Sequence, residues 1–295
     1  MKPPLAGSHV PSDLLQEITK EVLLRLRNPQ QEPEPQDWGP RCSDCTAVGF
    51  CARECQDRTA LLTANGVARV GAAPGIGPVA RDLAPFIDHT LLKPDADEDA
   101  ILTLCSEART HRFASVCIQP RYVRRAARAL EGSGVAVCTV VGFPHGANET
   151  EVKVFEAALA VSRGAREIDM VLAIGAVTSG RWDQVREDIG AVVAAVPRPN
   201  ITKVILETAY LDDAQKRTAC QIAKEEGAAF VKTSTGFGPG GATLHDIRLM
   251  RDAVGPLVGV KAAGGIRDAA TAQEMVRAGA TRIGASASVR IVTES

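Results

Sequence analysis

Short apolar segments alternate with longer amphipathic ones from about residue 80 to the last residues of the chain. Each apolar segment has the length and the composition of a buried strand. Eight of these predicted strands cover residues 85–88, 115–119, 135–143, 167–172, 202–207, 230–235, 257–263 and 282–286. Seven amphipathic segments between them predict helices, among them residues 98–110, 151–162, 182–196, 213–226 and 269–278. Strands that alternate with helices form parallel βα units, and eight units predict a closed (β/α)8 TIM barrel of the α/β class.

An open, doubly wound sheet is the alternative arrangement of the same units. Its dinucleotide-binding form carries a Gly-x-Gly-x-x-Gly motif directly after the first strand. This chain has no such motif there. We therefore expect the barrel, over residues 80–295.

The chain before the barrel divides into two predicted parts, residues 1–40 and residues 41–79. The first part holds an amphipathic helix over residues 12–27, followed by a linker rich in Pro, Gln and Glu. The apolar residues of the helix share one face: Leu14, Leu15, Ile18, Val22, Leu23 and Leu26. A helix this short has no core of its own, so this face is expected to bind a partner. It resembles the encapsulation peptides of bacterial microcompartments, which implies a shell protein as partner and the microcompartment lumen as location; packing on the barrel or at a dimer interface is the alternative.

Four thiols cluster in the second part, at Cys42, Cys45, Cys51 and Cys55. Four thiolates suffice for a tetrahedral zinc ion or an iron–sulfur cluster. We predict such a metal site, with free or redox-paired thiols as the alternative. The other cysteines lie in apolar segments, where reduced cysteine packs as a small hydrophobic residue: Cys105, Cys117, Cys138 and Cys220.

The net charge and the hydropathy of the chain argue against two classes of protein, those that bind nucleic acid and those that span a membrane. The 295 residues carry a net charge of −1, which gives no electrostatic bias toward nucleic acid. No segment approaches the ~20 apolar residues of a membrane span, and no basic segment followed by an apolar one opens the chain. We expect a soluble cytoplasmic protein that binds neither nucleic acid nor membrane.

Three predicted strands contain an ionisable residue in an otherwise apolar segment: Asp169, Lys232 and Lys261. In TIM barrels the catalytic groups project from the carboxyl ends of the strands. The two lysines lie on adjacent strands, so each ammonium disfavours protonation of the other, and one amine is expected to be neutral near pH 7. A neutral amine forms a Schiff base with an aldehyde or ketone, while the second lysine and the aspartate can move protons. A structural Lys–Asp–Lys cluster that only joins the strands is the alternative.

Small residues follow the last two predicted strands. Gly264 and Gly265 follow the seventh strand, and Gly284 and Ser286 lie at the end of the eighth. Loops at these two places in a TIM barrel commonly bind phosphate through backbone N–H groups. Together they predict a phosphorylated substrate, although either glycine run alone could simply turn the chain.

Seven segments in the order of the barrel make the chain from about residue 80 to 292 resemble 2-deoxyribose-5-phosphate aldolase. They are Ile87-Asp-His-Thr-Leu-Leu-Lys93, Val116-Cys-Ile-Gln-Pro120, Val141-Gly-Phe-Pro-His-Gly146, Glu167-Ile-Asp-Met170, Val231-Lys-Thr-Ser-Thr-Gly-Phe237, Val260-Lys-Ala-Ala-Gly-Gly-Ile-Arg267 and Ile283-Gly-Ala-Ser286. The resemblance implies that Lys232 forms the Schiff base with acetaldehyde and that Asp169 and Lys261 relay protons. It also implies a substrate pocket of Asp88, Thr90 and Cys117, and a phosphate site of Gly264, Gly265, Gly284 and Ser286.

The resemblance implies a class I aldolase that cleaves 2-deoxy-D-ribose 5-phosphate reversibly to D-glyceraldehyde 3-phosphate and acetaldehyde. No cofactor is expected for catalysis, and a homo-oligomer is expected. Some members of the family have a serine and a lysine where this chain has Ala287 and Phe237. The alternatives are a Schiff-base aldolase that acts on a different phosphorylated aldol, and a weakly active barrel that serves mainly as microcompartment cargo or scaffold.

Overall fold

Eight parallel strands close into a barrel in the computed structural model, which describes residues 83–294. Each strand pairs with the next one in the chain, and the last pairs with the first. The strands are β1 (Ile87–Leu91), β2 (Ser115–Ile118), β3 (Ala136–Val141), β4 (Glu167–Val171), β5 (Ile201–Ile205), β6 (Phe230–Lys232), β7 (Gly259–Ala263) and β8 (Arg282–Ala285). The predicted TIM barrel is confirmed, and the open-sheet alternative is wrong.

Nine α-helices in the described residues cover the outside of the barrel. They are α1 (Glu98–His111), α2 (Val123–Ala129), α3 (Thr150–Ser162), α4 (Ile174–Thr178), α5 (Trp182–Ala194), α6 (Asp213–Glu225), α7 (Leu244–Val254), α8 (Ala269–Ala278) and α9 (Ser288–Thr293). Side chains of Asp97, Asp212, Thr243 and Asp268 cap α1, α6, α7 and α8 by accepting a backbone N–H of the first turn. Within residues 83–294, no helix has the length and apolarity that a membrane crossing requires.

The largest differences from the predicted strand ends are at the carboxyl ends of β1 and β6, at the barrel mouth. Pro85 lies in a 3-10 turn over Ala84–Phe86, so β1 begins at Ile87 and extends to Leu91. β6 ends at Lys232, whereas the sequence pattern continues to residue 235. Lys232 is therefore the last residue of its strand, at the carboxyl end of the barrel, and the chain leaves the barrel wall directly after it.

An aromatic ring fills the amino end of the barrel. Phe230, Ile201 and Gly259 each begin a strand, and Phe230 packs with Ile201 in a small apolar cluster. A Cβ on Gly259 would lie 2.2 Å from the Phe230 ring, so only glycine fits at that position. The Arg282 guanidinium lies 5.3 Å from the ring centroid. The barrel is thus plugged at this end, and its accessible end is the carboxyl one.

Candidate active site

Seven charged side chains occupy the barrel interior between the Phe230 plug and the carboxyl end. All are at least nine-tenths buried, because they alternate with the outward-facing apolar residues of their strands. They are Asp88 on β1, Glu167 and Asp169 on β4, Lys203 on β5, Lys232 on β6, Lys261 on β7 and Arg282 on β8. We call these seven residues the charge network.

Asp169 is the centre of the charge network. Its Oδ2 accepts hydrogen bonds from Lys232 Nζ at 2.8 Å and from Lys261 Nζ at 2.7 Å. Its Oδ1 accepts from Lys203 Nζ at 2.8 Å and from the Cys138 thiol at 3.1 Å. The predicted meeting of Asp169 with two lysines is therefore present, and a third lysine joins them.

Two further carboxylates, Asp88 and Glu167, pair with Lys203, Lys261 and Arg282. Asp88 lies 2.5 Å from Lys261 Nζ and, through its other oxygen, accepts from Arg282 Nη1 at 2.5 Å. Glu167 lies 2.5 Å from Lys203 Nζ and accepts from Arg282 Nη1 at 3.1 Å. Lys203 also lies 3.5 Å from Asp88. Each of these three cations thus faces at least two carboxylates.

The contacts set the protonation states of the network. Burial raises the pKa of Asp169, but attraction by the three surrounding lysines outweighs it and holds the pKa well below its usual range. Lys261 shows the opposite balance, since burial lowers its pKa and the carboxylates of Asp169 and Asp88 raise it above the usual value. Attraction by Asp169 and its neighbours likewise outweighs burial and raises the pKa of Lys203. Near neutral pH, Asp169 is therefore ionised, and Lys203 and Lys261 are protonated.

Lys232 differs from the other cations in its partners and in its position. It pairs with one carboxylate, Asp169, whereas Lys261 and Arg282 each pair with two and Lys203 with three. Its side chain keeps 3% exposure, against 0% for Lys203 and Lys261. Lys232 also ends its strand, whereas the other two lysines lie in the middle of theirs.

One wall of the interior beside the network is apolar. Cys117, Cys138 and Val140 lie on β2 and β3 and pack with Leu92 and Phe143. A hydrogen bond with the Cys138 thiol lowers the pKa of Cys117, and burial opposes this effect. Burial raises the pKa of Cys138 well above its usual value. The predicted pocket residue Cys117 therefore lies next to the network, on its apolar side.

The other predicted substrate residues lie at the barrel mouth or in the network. Asp88 is fully buried among cations, and the Thr90 hydroxyl donates to the Asp88 carbonyl at 2.8 Å. Gly264 and Gly265 follow β7 in the left-handed region, with φ of 92° and 83°. Any Cβ at Gly265 would point into open space.

Gly284 and Ser286, the remaining two residues of the predicted phosphate site, lie on and after β8. A Cβ on Gly284 would lie 3.1 Å from Lys261 Cε, so this glycine leaves room for the Lys261 side chain. Ser286 is exposed just after the end of the strand. Gly284 thus has a role in packing the network, in addition to the phosphate role predicted for it.

Sequence reasoning missed Lys203, Arg282 and Cys138 as members of the site. Lys203 satisfies the criterion that identified Lys232, since it is a single charge in an apolar strand. Arg282 begins its strand and reads as a boundary residue, while Cys138 reads as a small hydrophobic residue. Their roles depend on the strand register around the barrel, which places Lys203 beside Asp169 and Arg282 beside Lys261.

Comparison with known proteins identifies the family of this barrel. Residues 83–289 match the family described as DeoC/LacD family aldolase. The chain belongs to this aldolase family. A deoxyribose-phosphate aldolase of Clostridium tetani is 53% identical over 214 residues, which cover 72% of this chain and 99% of that protein. One from Caldanaerobacter subterraneus is 57% identical over 215 residues, which cover 72% of this chain and 93% of that protein.

A solved structure from the same family has the same fold. The tetrameric deoxyribose phosphate aldolase from Aeropyrum pernix superposes with a TM-score of 0.68 at 33% identity, over 79% of this chain and 96% of that chain. The family match begins at residue 83, where the described part of the structure also begins. The predicted helix over residues 12–27 and the predicted metal site at Cys42, Cys45, Cys51 and Cys55 lie outside the described residues.

The low pKa of Asp88 and Asp169 predicts a loss of stability in acid. A carboxylate whose pKa is depressed by folding stabilises the native state above its unfolded pKa of about 3.9, and this contribution is lost as pH falls toward the folded value. The folded pKa is depressed for both Asp88 and Asp169. Urea unfolding should show that the free energy of unfolding falls as the pH is lowered from 6 to 3. In Asp169→Asn, the free energy of unfolding should depend less steeply on pH. An equal slope in both proteins would contradict the assignment.

Proposed function

We propose that this aldolase cleaves 2-deoxy-D-ribose 5-phosphate reversibly to D-glyceraldehyde 3-phosphate and acetaldehyde, through a Schiff base on Lys232. The observation that carries the proposal is the position of Lys232: it ends its strand at the barrel mouth, and the one carboxylate that it contacts among residues 83–294 is shared with two other lysines. The relatives from Clostridium tetani and Caldanaerobacter subterraneus are named deoxyribose-phosphate aldolases, which supports this substrate and an aldol cleavage.

Charge balance favours Lys232 as the amine. The network has four basic groups and three carboxylates, so one basic group in it lacks a compensating charge. Three carboxylates compensate three cations, and an uncompensated buried charge is costly. Lys232, with one carboxylate partner, is the least compensated of the four basic residues. Lys203 is the alternative nucleophile, but three carboxylates surround it and its side chain is fully buried. Lys261 is held by two carboxylates.

The amine of Lys232 attacks the C1 aldehyde of the open-chain sugar, and loss of water gives a protonated Schiff base. Removal of the proton from the C3 hydroxyl then lets the C2–C3 bond break. Its electron pair forms an enamine on the lysine, and C3 leaves as the aldehyde of glyceraldehyde 3-phosphate. Protonation of the enamine at C2 and hydrolysis release acetaldehyde and the free amine.

Asp169 and Lys261 are placed to move the protons of this sequence. Asp169 Oδ2 contacts Lys232 Nζ and Lys261 Nζ within 2.8 Å, so a proton can pass between the two amines through one carboxylate. These steps require an amine and groups that donate and accept protons. We therefore propose that catalysis uses no cofactor.

Variants of the three lysines test the nucleophile. Lys232→Ala should abolish both turnover and the incorporation of labelled acetaldehyde under borohydride, because no other amine is placed to form the Schiff base. Lys203→Met should lower the stability by about 3–5 kcal/mol, since it leaves buried carboxylates without their partner. The folded fraction of Lys203→Met should still incorporate acetaldehyde. Normal incorporation by folded Lys232→Ala would refute the assignment.

We propose that the substrate phosphate binds at Gly264, Gly265, Gly284 and Ser286. Gly264 and Gly265 form the turn after β7, Gly284 and Ser286 lie at the end of β8, and the two strands are paired neighbours. Backbone N–H groups of such turns bind anions in TIM barrels. The open space beside Gly265 leaves room for a ligand there.

Gly265→Ala tests this phosphate site. The added methyl group would enter the open space, so KM for deoxyribose 5-phosphate should rise about tenfold while KM for unphosphorylated deoxyribose stays nearly constant. Gly180→Ala is the matched control, because Gly180 also has positive φ and open space but lies between α4 and α5. Equal changes in KM for both substrates would contradict the site.

A different phosphorylated aldol is the second candidate substrate. Phe237, at the position where some members of the family have a lysine, has 52% of its surface exposed at the barrel mouth, and its ring packs edge-on against Phe143 at 5.3 Å between centroids. An aromatic residue favours less polar acceptor aldehydes than a lysine does. Measurement of kcat/KM distinguishes the two candidates. A higher value for deoxyribose 5-phosphate than for its deoxyhexose analogue supports the first candidate, and the reverse order supports the second.

We propose further that the chain forms a homo-oligomer and that residues 12–27 direct it to a microcompartment shell protein in the cytoplasm. The tetrameric Aeropyrum pernix relative supports the oligomer. The cysteines of residues 41–79 support a separate metal site.

The single apolar face of residues 12–27 supports the targeting role. A fluorescent protein fused to residues 1–40 should enter shells in the source organism, and Ile18→Glu with Val22→Glu should prevent this. A diffuse signal beside intact shells would contradict the targeting role.

A further inference from the structure

Glu207 is a buried acidic residue that the proposed mechanism does not use. It comes shortly after the end of β5, is 1% exposed, and has φ 55° and ψ 62°, in the left-handed region. A residue with a Cβ rarely adopts this conformation unless its surroundings hold it there. Among the described residues, no cationic side chain forms an ion pair with Glu207. Its contacts must therefore explain both the strained backbone and the buried carboxylate.

The Glu207 carboxylate binds the loop that follows Lys232. Its Oε2 accepts from the Thr235 backbone N at 3.2 Å and from the Thr235 hydroxyl in a very short hydrogen bond. The same hydroxyl oxygen accepts from the Phe237 backbone N at 3.0 Å. Gly238 packs on the carboxylate so closely that a Cβ there would lie 2.9 Å from Glu207 Cδ. Glu207 thus contacts this loop at Thr235 and at Gly238.

The first residues of the same loop are fixed on both sides. The backbone N of Leu206 donates to the Lys232 carbonyl at 2.9 Å, and that of Thr208 donates to the Thr233 carbonyl at 3.0 Å. On the side of β7, the Thr233 hydroxyl accepts from Ala263 N and donates to Ala263 O, both at 3.0 Å. The residues on either side of Glu207 therefore fix the strand end that carries Lys232, while its side chain fixes the loop beyond.

This loop also forms part of the barrel mouth. Glu207, Thr235 and Phe237 line a cavity of about 240 Å³ together with the loop after β3 and the first residue of α4. A shift of Thr235 or Gly238 would therefore move the mouth and the end of β6 together. Displacements of about 1 Å in a catalytic group can lower rates by about two orders of magnitude.

We propose that Glu207 is a positioning residue for the aldol reaction: its carboxylate holds residues 233–238 so that the Lys232 amine keeps its place at the barrel mouth. The inference rests on the proposed function, in which Lys232 forms the Schiff base. Among the described residues, no hydrogen bond or ion pair joins the Glu207 carboxylate to Lys232 Nζ. It acts through Thr235 and through the backbone of the neighbouring strand end.

Four single variants and one double variant test the proposal, with the rate of borohydride-trapped acetaldehyde adduct formation as the main readout. Glu207→Ala and Thr235→Val remove the two partners, and both should slow adduct formation and lower kcat by about tenfold or more with little change in KM. The double variant should be no slower than either single one, because both remove the same contact. Glu207→Gln keeps an oxygen acceptor and should restore the rate to within about threefold of wild type. Gly238→Ala should slow the reaction by displacing the intact carboxylate.

Gly175→Ala is the matched control for Gly238→Ala, because its added methyl group meets open space. If Glu207→Ala fails to fold, Thr235→Val and Gly238→Ala carry the test. A lowered melting temperature with an unchanged adduct rate in the folded variants would overturn the positioning role and leave the proposed function intact. Absence of any adduct in the wild-type enzyme would instead overturn the proposed function.

Discussion

The rest of the site depends on one constraint: the barrel interior holds four basic side chains and three carboxylates out of contact with water. Buried charges persist only when opposite charges compensate them. Asp88, Glu167 and Asp169 can fully compensate three of the four, and the pairing pattern shows which three, because Lys203, Lys261 and Arg282 each face at least two carboxylates. Lys232 is left with a share of Asp169. The pairing pattern therefore distinguishes Lys232 from the other three basic residues, and it supports the proposal that Lys232 is the reactive amine.

Packing keeps this balance in place. Phe230 and Gly259 fill the amino end of the barrel, so the network is closed on that side and opens only toward the carboxyl end. Gly284 leaves the space in which Lys261 reaches Asp169. The apolar wall around Cys117 borders the network on one side, and its Cys138 thiol hydrogen-bonds with Asp169 and Lys203. The packing and the charge pairing thus both favour Lys232 as the reactive amine.

The sequence predicts the barrel well, because alternating strand and helix patterns are local properties. It also predicts that Asp169, Lys232 and Lys261 meet, since each lies in a strand that is otherwise mostly apolar and the strand order brings them together. The roles of Lys203 and Arg282 follow from the register around the closed barrel, which no local pattern encodes. The contact of Glu207 with Thr235 depends on a left-handed residue and on a loop path beyond the end of β6. Such features become visible only in three dimensions.

The most direct test of the account is to map where acetaldehyde binds in the wild-type enzyme. The protein is reduced with borohydride in the presence of acetaldehyde, digested, and each lysine-containing peptide of the charge network is examined by mass spectrometry. The account predicts an ethyl group on Lys232, with Lys203 and Lys261 unmodified. An ethyl group on Lys203 or Lys261, with Lys232 unmodified, would contradict the charge balance on which the assignment rests.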